Sequence, residues 1–585
     1  MNPLLPCQNH EADVCVIGGG LAGLIAAVSA ARHGARVLLM QDRPMLGGNA
    51  SSEVRMWVRG AAGRENRETG ILQELELENI YRNPTMNYSL WDSVMLQAVL
   101  QEKNITLLLN CSCMDCETEN GRIVSVTGWQ LNTYSFHRVH AQVFLDCSGD
   151  SVLAPISGAA YRVGREGKAE FDEYGAPEAA DCKTMGNSCL IQARETDHPC
   201  PFTPPEWAYV YPDDASMYNK DHDFTKTFTN FWWMELGGEQ DTIADAQEVN
   251  MELLRVAFGV WDHIKNHGDH GAENWELEWV GFLPGKRESR RYEGDYILNQ
   301  RDLEEGHDFP DTVAFGGWTM DNHDPRGLRC DGYSSVHIKP KVPYAIPYRS
   351  LYSRNVGNLM FAGRNISATH MALSSTRVMA TCSVIGQAVG TAAALCARYG
   401  CLPRDIYQSH MDELQAQLLD DGCLLPGHTR PPRGSFSTSF GPDDTAVLKN
   451  GWERPHDGDE NRILIREGSD WSIALNAPAD NLRLRLALDP DFTRESISPR
   501  RKTQQFSQRA NIFLSEPPVK MPAPLLKDAD IVFCLLDTRQ VVLKVRDNHQ
   551  ALLWLPLPKD TVAVFVRNVR SWGGEGIGLF ACDIC

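Results

Sequence analysis

The sequence has no basic excess. Of its 585 residues, 76 are Asp or Glu and 56 are Lys or Arg, a formal charge of −20. Nucleic acid and anionic membranes are both bound through basic surfaces, so neither is expected as a partner. A disulfide framework is lacking too. The 17 cysteines are odd in number and scattered along a long chain, which reads as reduced thiols in a cytoplasmic setting. The opening MNPLLPCQNHEAD carries no basic segment, and the first apolar run after it is broken by three glycines, so no secretory signal is expected. Long hydrophobic runs are scarce. Val378–Ala397 has no charge over twenty residues, which is long enough to cross a bilayer. It also contains Ser, Gln, Thr, Gly and six Ala, and such polar and small residues suit a packed core helix better than lipid.

What is present is ordinary globular material, 43% hydrophobic and 23% charged, with room for two to four domains. The charge is uneven. Arg430–Cys585 holds 21 Lys/Arg against 20 Asp/Glu, a net of +1, so residues 1–429 carry −21. Residues 426–442 are rich in Pro, Gly, Ser and Thr and read as a linker. Beyond them alternating stretches such as Leu482–Leu486, Val541–Val545 and Val562–Val566 predict an all-β sandwich over 443–585. Residues 161–349 hold seven of the fourteen tryptophans (Trp207, Trp232, Trp233, Trp261, Trp275, Trp279, Trp318) and a helix over Thr242–Asn266. They read as an inserted substrate or cap region, whose aromatics serve either the core or a sugar-stacking surface.

The N-terminus carries the chemistry. Asp13–Ile17 is an apolar strand, Gly18-x-Gly20-x-x-Gly23 follows, Leu24–His33 is helix-forming, and Arg36–Met40 is a second buried strand. This strand–turn–helix context is the dinucleotide-binding arrangement. The glycines allow a tight turn, close approach of a pyrophosphate and close helix packing, and the helix N-terminus faces the phosphates. Where an acidic residue usually holds the ribose, Gln41 stands, with Asp42 next; either can accept the hydrogen bond. NAD and FAD share this fingerprint.

Several segments together resemble the FAD-dependent oxidoreductases with a glutathione-reductase-like fold, in particular the group related to the flavin-binding portion of heterodisulfide reductase. They are DVCVIGGGLAGLIAA, RPMLGGNASSEVRM, FLDCSGDS, GKRESRRYEGDYIL and NLMFAGRNISATHMALSSTRVMATCSVIGQAVGTAAAL. The resemblance implies an α/β fold: a Rossmann-like FAD-binding domain over 1–160 and 350–425 with the inserted region between, and the C-terminal all-β sandwich outside the match. It places Gly18, Gly20, Gly23, Gln41 or Asp42, and Arg43 at the ADP half of FAD. Gly48, Asn49 and Ser52 fall along the flavin, Gly149 and Asp150 close over it, and Gly363 and Arg364 meet the ribityl chain. The helix after Ser375 and Thr376 points its N-terminus at the flavin, a positive end suited to reduced flavin. Gly386, Gly390 and Ala393 let that helix pack on the sheet.

For catalysis, His370 is the candidate base, with Arg287 and Arg290 orienting an oxygen-rich substrate and Arg55 and Glu53 facing the same cavity. The expected activity is hydride transfer between flavin N5 and a small polar metabolite, a sugar or glycoside in first place, within carbohydrate metabolism. The alternatives are an NAD-dependent dehydrogenase using the same glycines and a non-catalytic carbohydrate-binding or scaffold protein. A homo-oligomer is compatible with the sequence.

No metal is expected. Cys111-x-Cys113-x-x-Cys116 lacks the spacing of an iron–sulfur ligand run, and His263-x3-His267-x2-His270 reads as a solvated helix terminus. The terminal Cys582-x-x-Cys585 lacks the helix N-terminus that activates such dithiols.

Overall fold

The computed structural model describes residues 5–225, 230–492, 496–498, 501–502 and 512–585. The chain forms two compact units: 1–62, 85–415 and 507–517 in the first, and 63–84, 416–506 and 518–585 in the second.

The first unit is built on a mixed seven-stranded sheet. Strands β1 (Cys7–Ile17), β2 (Val37–Met40) and β3 (Ile105–Leu108) run parallel in the order β3-β2-β1. Helix α1 (Leu21–Arg32) makes the crossover between β1 and β2, as the alternation of apolar strand and Ala-rich helix requires. On the other edge of β1 lies the long strand β6 (Ser135–Asp146), also parallel. The antiparallel strands β4 (Cys111–Glu119) and β5 (Arg122–Gln130) extend the sheet from the first half of β6, and β7 (Leu359–Phe361) pairs in parallel with its end, Leu359 opposite Phe144. The C-terminal ends of β1, β2, β6 and β7 thus open on one side, at the turns starting at Gly18, Gln41, Cys147 and Gly363, which is where α/β sheets place ligands.

The charge-free segment forms a helix over Met379–Tyr399, and its apolar window is 94% buried within the protein. It packs chiefly along α1. A Cβ on Gly386 or Gly390 would run into the backbone carbonyls of Ala22 and Ala26. The small residues expected to face the sheet therefore serve a helix–helix contact instead, because that is where two backbones come closest. Residues 161–349 belong to this same unit. Their helix Ala246–Asn266 buries Leu253, Val256, Val260, Trp261 and Ile264 in a local core with Trp233 and Trp275. The fates of the tryptophans therefore split: Trp233, Trp261 and Trp275 are core, Trp207 is exposed, and Trp232 and Trp318 line the cavity described below.

The second unit is a β-sandwich. Phe436–Thr438, Trp471–Leu475, Thr561–Ser571, Leu526–Leu535 and Gln540–Val545 form one antiparallel sheet, in that order. Ile463–Arg466, Gly576–Ile584, Arg483–Leu488 and Leu552–Pro556 form the other. Inward residues of both, among them Ile473, Val566, Leu484 and Leu579, share one core. Two features depart from the composition-based boundaries. The 426–442 segment already contributes a strand, and the helix Ile71–Arg82 belongs to this unit because Leu77 is buried in the sandwich core. Composition cannot show that an early segment completes a late core. Cys582 is in that core as well, where burial pushes its thiol far above the ordinary range, so it is not a nucleophilic member of a redox pair.

Burial also pushes the Glu76 carboxyl up to about 8, although Arg67 Nη2 lies 3.2 Å away. The folded unit keeps a proton on Glu76 that the unfolded chain releases near pH 4.5. Its stability therefore falls as pH rises between those values, by up to about 1.4 kcal/mol per pH unit. Glu76→Gln, neutral throughout, is expected to remove this part of the slope, measured as urea-unfolding midpoints across that pH range.

Candidate active site

The turn between β1 and α1 is shaped by contact as much as by conformation. Gly18 has φ +97° and sits against the Cys147–Ser148 backbone, while a Cβ on Gly23 would strike the Gly18 carbonyl. Gly20 caps α1 with no side-chain hydrogen bond, and the first turn has no acidic residue. The helix thus presents free backbone N–H groups and a positive dipole end.

These groups face a cavity of about 830 Å³, within the range of small-molecule and cofactor sites. Its wall takes in Gly18, Gly20, Gln41, Asp42, Arg43, Gly48, Asn49, Gly149, Asp150, Gly363 and Arg364, all expected cofactor contacts. Gln41 is buried and its amide is spent on the turn: Oε1 accepts from the Gly19 N–H at 2.7 Å and Nε2 donates to the Met45 carbonyl at 3.1 Å. Asp42 is exposed on the cavity wall, 3.8 Å from Arg43, so of the two it is the acceptor left for a ribose. Asp150 gathers Arg364 and Lys286, each at 2.8 Å, and Ser289. Burial alone would raise its carboxyl, but these cations hold it well below the ordinary range. The helix Met379–Tyr399 also starts without a side-chain cap, and Val378, Met379 and Cys382 line the cavity.

Other expected residues are elsewhere. Gly23 serves helix packing. Ser52 donates from Oγ to the Met45 sulfur and from its backbone to Asp92. Ser375 donates to the Trp318 carbonyl, and Thr376 is fully buried in the preceding short helix His370–Thr376. None of these lines the cavity.

The catalytic assignments change most. His370 is 1% exposed and both ring nitrogens are engaged, Nδ1 with Glu288 at 2.9 Å and Nε2 with Asn322 Oδ1 at 2.9 Å. It is off the cavity wall and has no nitrogen free to take a proton. Arg290 lies over the Tyr161 ring and Arg55 over the Trp279 ring; both, with Glu53, are off the wall too. Arg287 does line the cavity. It is buried, donates to the Gly186 and Trp232 carbonyls and Ser188, and pairs with Glu235 at 3.3 Å. The guanidinium is therefore largely committed to shaping the wall.

The groups able to move protons are ones that no sequence pattern singles out. A hairpin, Met320–His323 with Ser335–Ile338, sets Asp321 directly opposite His337. Asp321, His323, His337, Tyr333 and Arg377 all line the cavity, beside Trp57, Trp232 and Trp318. Asp321 lies 3.3 Å from His323 Nε2, 3.6 Å from His337 Nε2 and 3.3 Å from Arg377. Burial would raise the Asp321 carboxyl, but His323, Arg377 and His337 together hold it far below the ordinary carboxylate range. His323 is buried and also bound through Nδ1 to Glu235 at 2.6 Å. His337 is the accessible one, its side chain 39% exposed, with Nε2 at 3.1 Å from the Tyr333 hydroxyl. The only signal available in the sequence was the short alternation Met320–His323, which carries no known spacing.

A glycine turn and uncapped helix end for a pyrophosphate, a second uncapped helix end, and an acid–base group across one cavity define a dinucleotide-dependent oxidoreductase. The chain belongs to the FAD dependent oxidoreductase family, whose model matches residues 13–418. FAD is its cofactor, and the cavity wall fits that cofactor. This assignment decides against an NAD-dependent dehydrogenase or an inert scaffold. No curated protein matches the sequence. Among solved structures, similarity extends to the myxobacterial chondrochloren halogenase CndH, 17% identical over 33% of this chain and 46% of that one, with a TM-score of 0.20. It extends also to quinol fumarate reductase FrdA of E. coli, 11% identical over 70% and 75% with a TM-score of 0.26. A geranylgeranyl bacteriochlorophyll reductase-like protein of Thermoplasma acidophilum is 12% identical over 71% and 84%, with a TM-score of 0.29. The chain spans less than half of CndH, and at such scores none of these says more than the family does.

Proposed function

We propose that the protein transfers a hydride between FAD and a small hydroxyl-bearing metabolite, a sugar or glycoside in first place. Bound FAD supplies a two-electron acceptor or donor at N5. The observation that carries the reading is the Asp321–His337 pair on the wall of a cavity also lined by Trp57, Trp232 and Trp318. In the oxidative direction a substrate C–H leaves as hydride and its O–H proton must go elsewhere. The His337 imidazole accepts that proton on Nδ1, the nitrogen not turned to Asp321, and the ionised Asp321 beside Nε2 stabilises the imidazolium that results. Arg377 and Arg59, both on the wall, supply donors for substrate oxygens, and the indoles supply apolar faces of the kind sugars stack on.

Anaerobic mixing of the yellow holoprotein with a panel of sugars, hydroxy acids and amines tests this. A sugar or glycoside is expected to bleach the flavin fastest. Bleaching only by amines would overturn the substrate class. A flavin reduced by none of them, but by reduced nicotinamide, would place the metabolite on the accepting side.

A further inference from the structure

Beyond the flavin site, four side chains converge in the inserted region. One ligand atom each from Asp214, His222, His263 and His270 lie within 4.8 Å of one another. They come from four separate places: a short 3-10 turn, Asp214–Met217; the loop after it; the last turn of the helix Ala246–Asn266; and the loop that follows. The three imidazole rings meet with centroids 4.8–5.0 Å apart.

The hydrogen bonds around the cluster orient it. His263 Nδ1 lies 2.7 Å from the Tyr211 carbonyl, and His222 Nδ1 lies 2.9 Å from the Lys220 carbonyl. A carbonyl can only accept, so each Nδ1 carries the proton and each Nε2 is left with a lone pair. Both lone pairs look toward Asp214 Oδ1, at 3.3 Å from His263 and 3.8 Å from His222. His263 is 1% exposed, and its Nε2 has no hydrogen-bond partner. Acceptors facing a carboxylate oxygen at this range repel unless a cation lies between them.

We propose that Asp214, His222, His263 and His270 hold a divalent transition-metal ion of the zinc class. Three imidazoles and one carboxylate are a borderline donor set that favours zinc over magnesium or calcium. Four protein ligands close a tetrahedral shell, as in structural sites. An ion with bonds of roughly 2.0–2.1 Å sets its ligands about 3.3 Å apart, which the His263–Asp214 pair already meets. A backbone carbonyl on the far nitrogen is the usual support for a ligating imidazole. His267, the middle histidine of the sequence pattern, turns instead to Asp262 Oδ2 at 3.1 Å, and His222 and Asp214 complete the set from more than forty residues upstream of His263.

The position makes the ion a clamp and not a reactant. Ala246, Gln247 and Asn250 of the same helix line the flavin cavity, and His263 lies about 20 Å further along the axis from Asn250. The ion pins the far end of that helix to the 214–222 segment.

The test uses untagged, flavin-loaded full-length protein, desalted without chelator and analysed for metals by mass spectrometry. Near-stoichiometric zinc or a neighbouring transition metal is expected. Asp214→Asn and His222→Ala are expected to lower metal content at least tenfold while the flavin spectrum remains. Loading the metal-stripped protein with cobalt(II) is expected to give tetrahedral bands to the red of the flavin absorption. Asp214 is largely exposed, so its amide variant also serves if His222→Ala does not fold. Absence of metal, together with no rise in thermal midpoint and no cobalt bands on adding zinc or cobalt, would overturn the site and leave a proton shared between His263 and Asp214. Metal content unaffected by both substitutions would overturn it equally.

Discussion

His337→Gln is expected to slow anaerobic flavin reduction by the best substrate about 10²–10⁴-fold, the usual contribution of a positioned general base. The bound-flavin spectrum is expected to stay unchanged. Glutamine keeps much of the volume and a hydrogen-bonding end for the Tyr333 hydroxyl, but it cannot take up a proton at neutral pH. The hairpin register puts Asp321 opposite His337, and the carboxylate stays ionised through the working range because its neighbours hold it low. Asp321→Asn is therefore expected to reduce the rate without removing it, since the base remains while the charge that favours its protonated form is gone. Stopped-flow traces at saturating substrate check both. If His337→Gln changes KM alone, the imidazole binds substrate and does not move its proton.

The legible parts of the molecule were those set by local sequence. The strand–glycine–helix unit of Gly18–Gly23 announces itself because backbone geometry demands glycine where the chain turns and packs. The charge-free helix could be told from a membrane span by its small and polar residues. The sandwich showed in its alternation. The acid–base pair did not, because Asp321 and His337 meet only through hairpin pairing, and no spacing rule links them. The metal ligands failed for the same reason: the closely spaced trio His263, His267 and His270 was visible, but only two of them face the cluster. Helix Ile71–Arg82 falls with the flavin domain by position in the chain, whereas long-range burial of Leu77 decides where it belongs.

The segment GKRESRRYEG shows the same limit in one place, and it carries the largest expected loss of stability. Its functional reading favours Arg287 and Arg290, yet the arginine that the fold depends on is Arg291, which is fully buried. Its guanidinium lies 3.0 Å from Glu166 and 3.6 Å from Glu288, and donates to the Ala368 and Gly164 carbonyls. Glu288 in turn holds His370 Nδ1, and Glu166 accepts the His370 backbone N–H at 2.8 Å. His370 is thus part of a buried ionic network bracing the start of the short helix that precedes Met379–Tyr399. Arg291→Met keeps the length of the side chain but leaves two buried carboxylates facing one another without their cation. The expected cost is about 3–5 kcal/mol, read as a shift in the urea midpoint of the first unit. Burial already acts to raise Glu166, and Arg291 is the main reason it lies below its ordinary value. Without Arg291 that lowering is lost and the folded-state pKa of Glu166 rises, so the variant holds its proton to higher pH than the parent does. Its deficit relative to the parent is therefore expected to grow as pH rises from acid toward neutral, and to be smaller in mild acid. A deficit of equal size at both ends of that range would trace the loss to packing and not to charge.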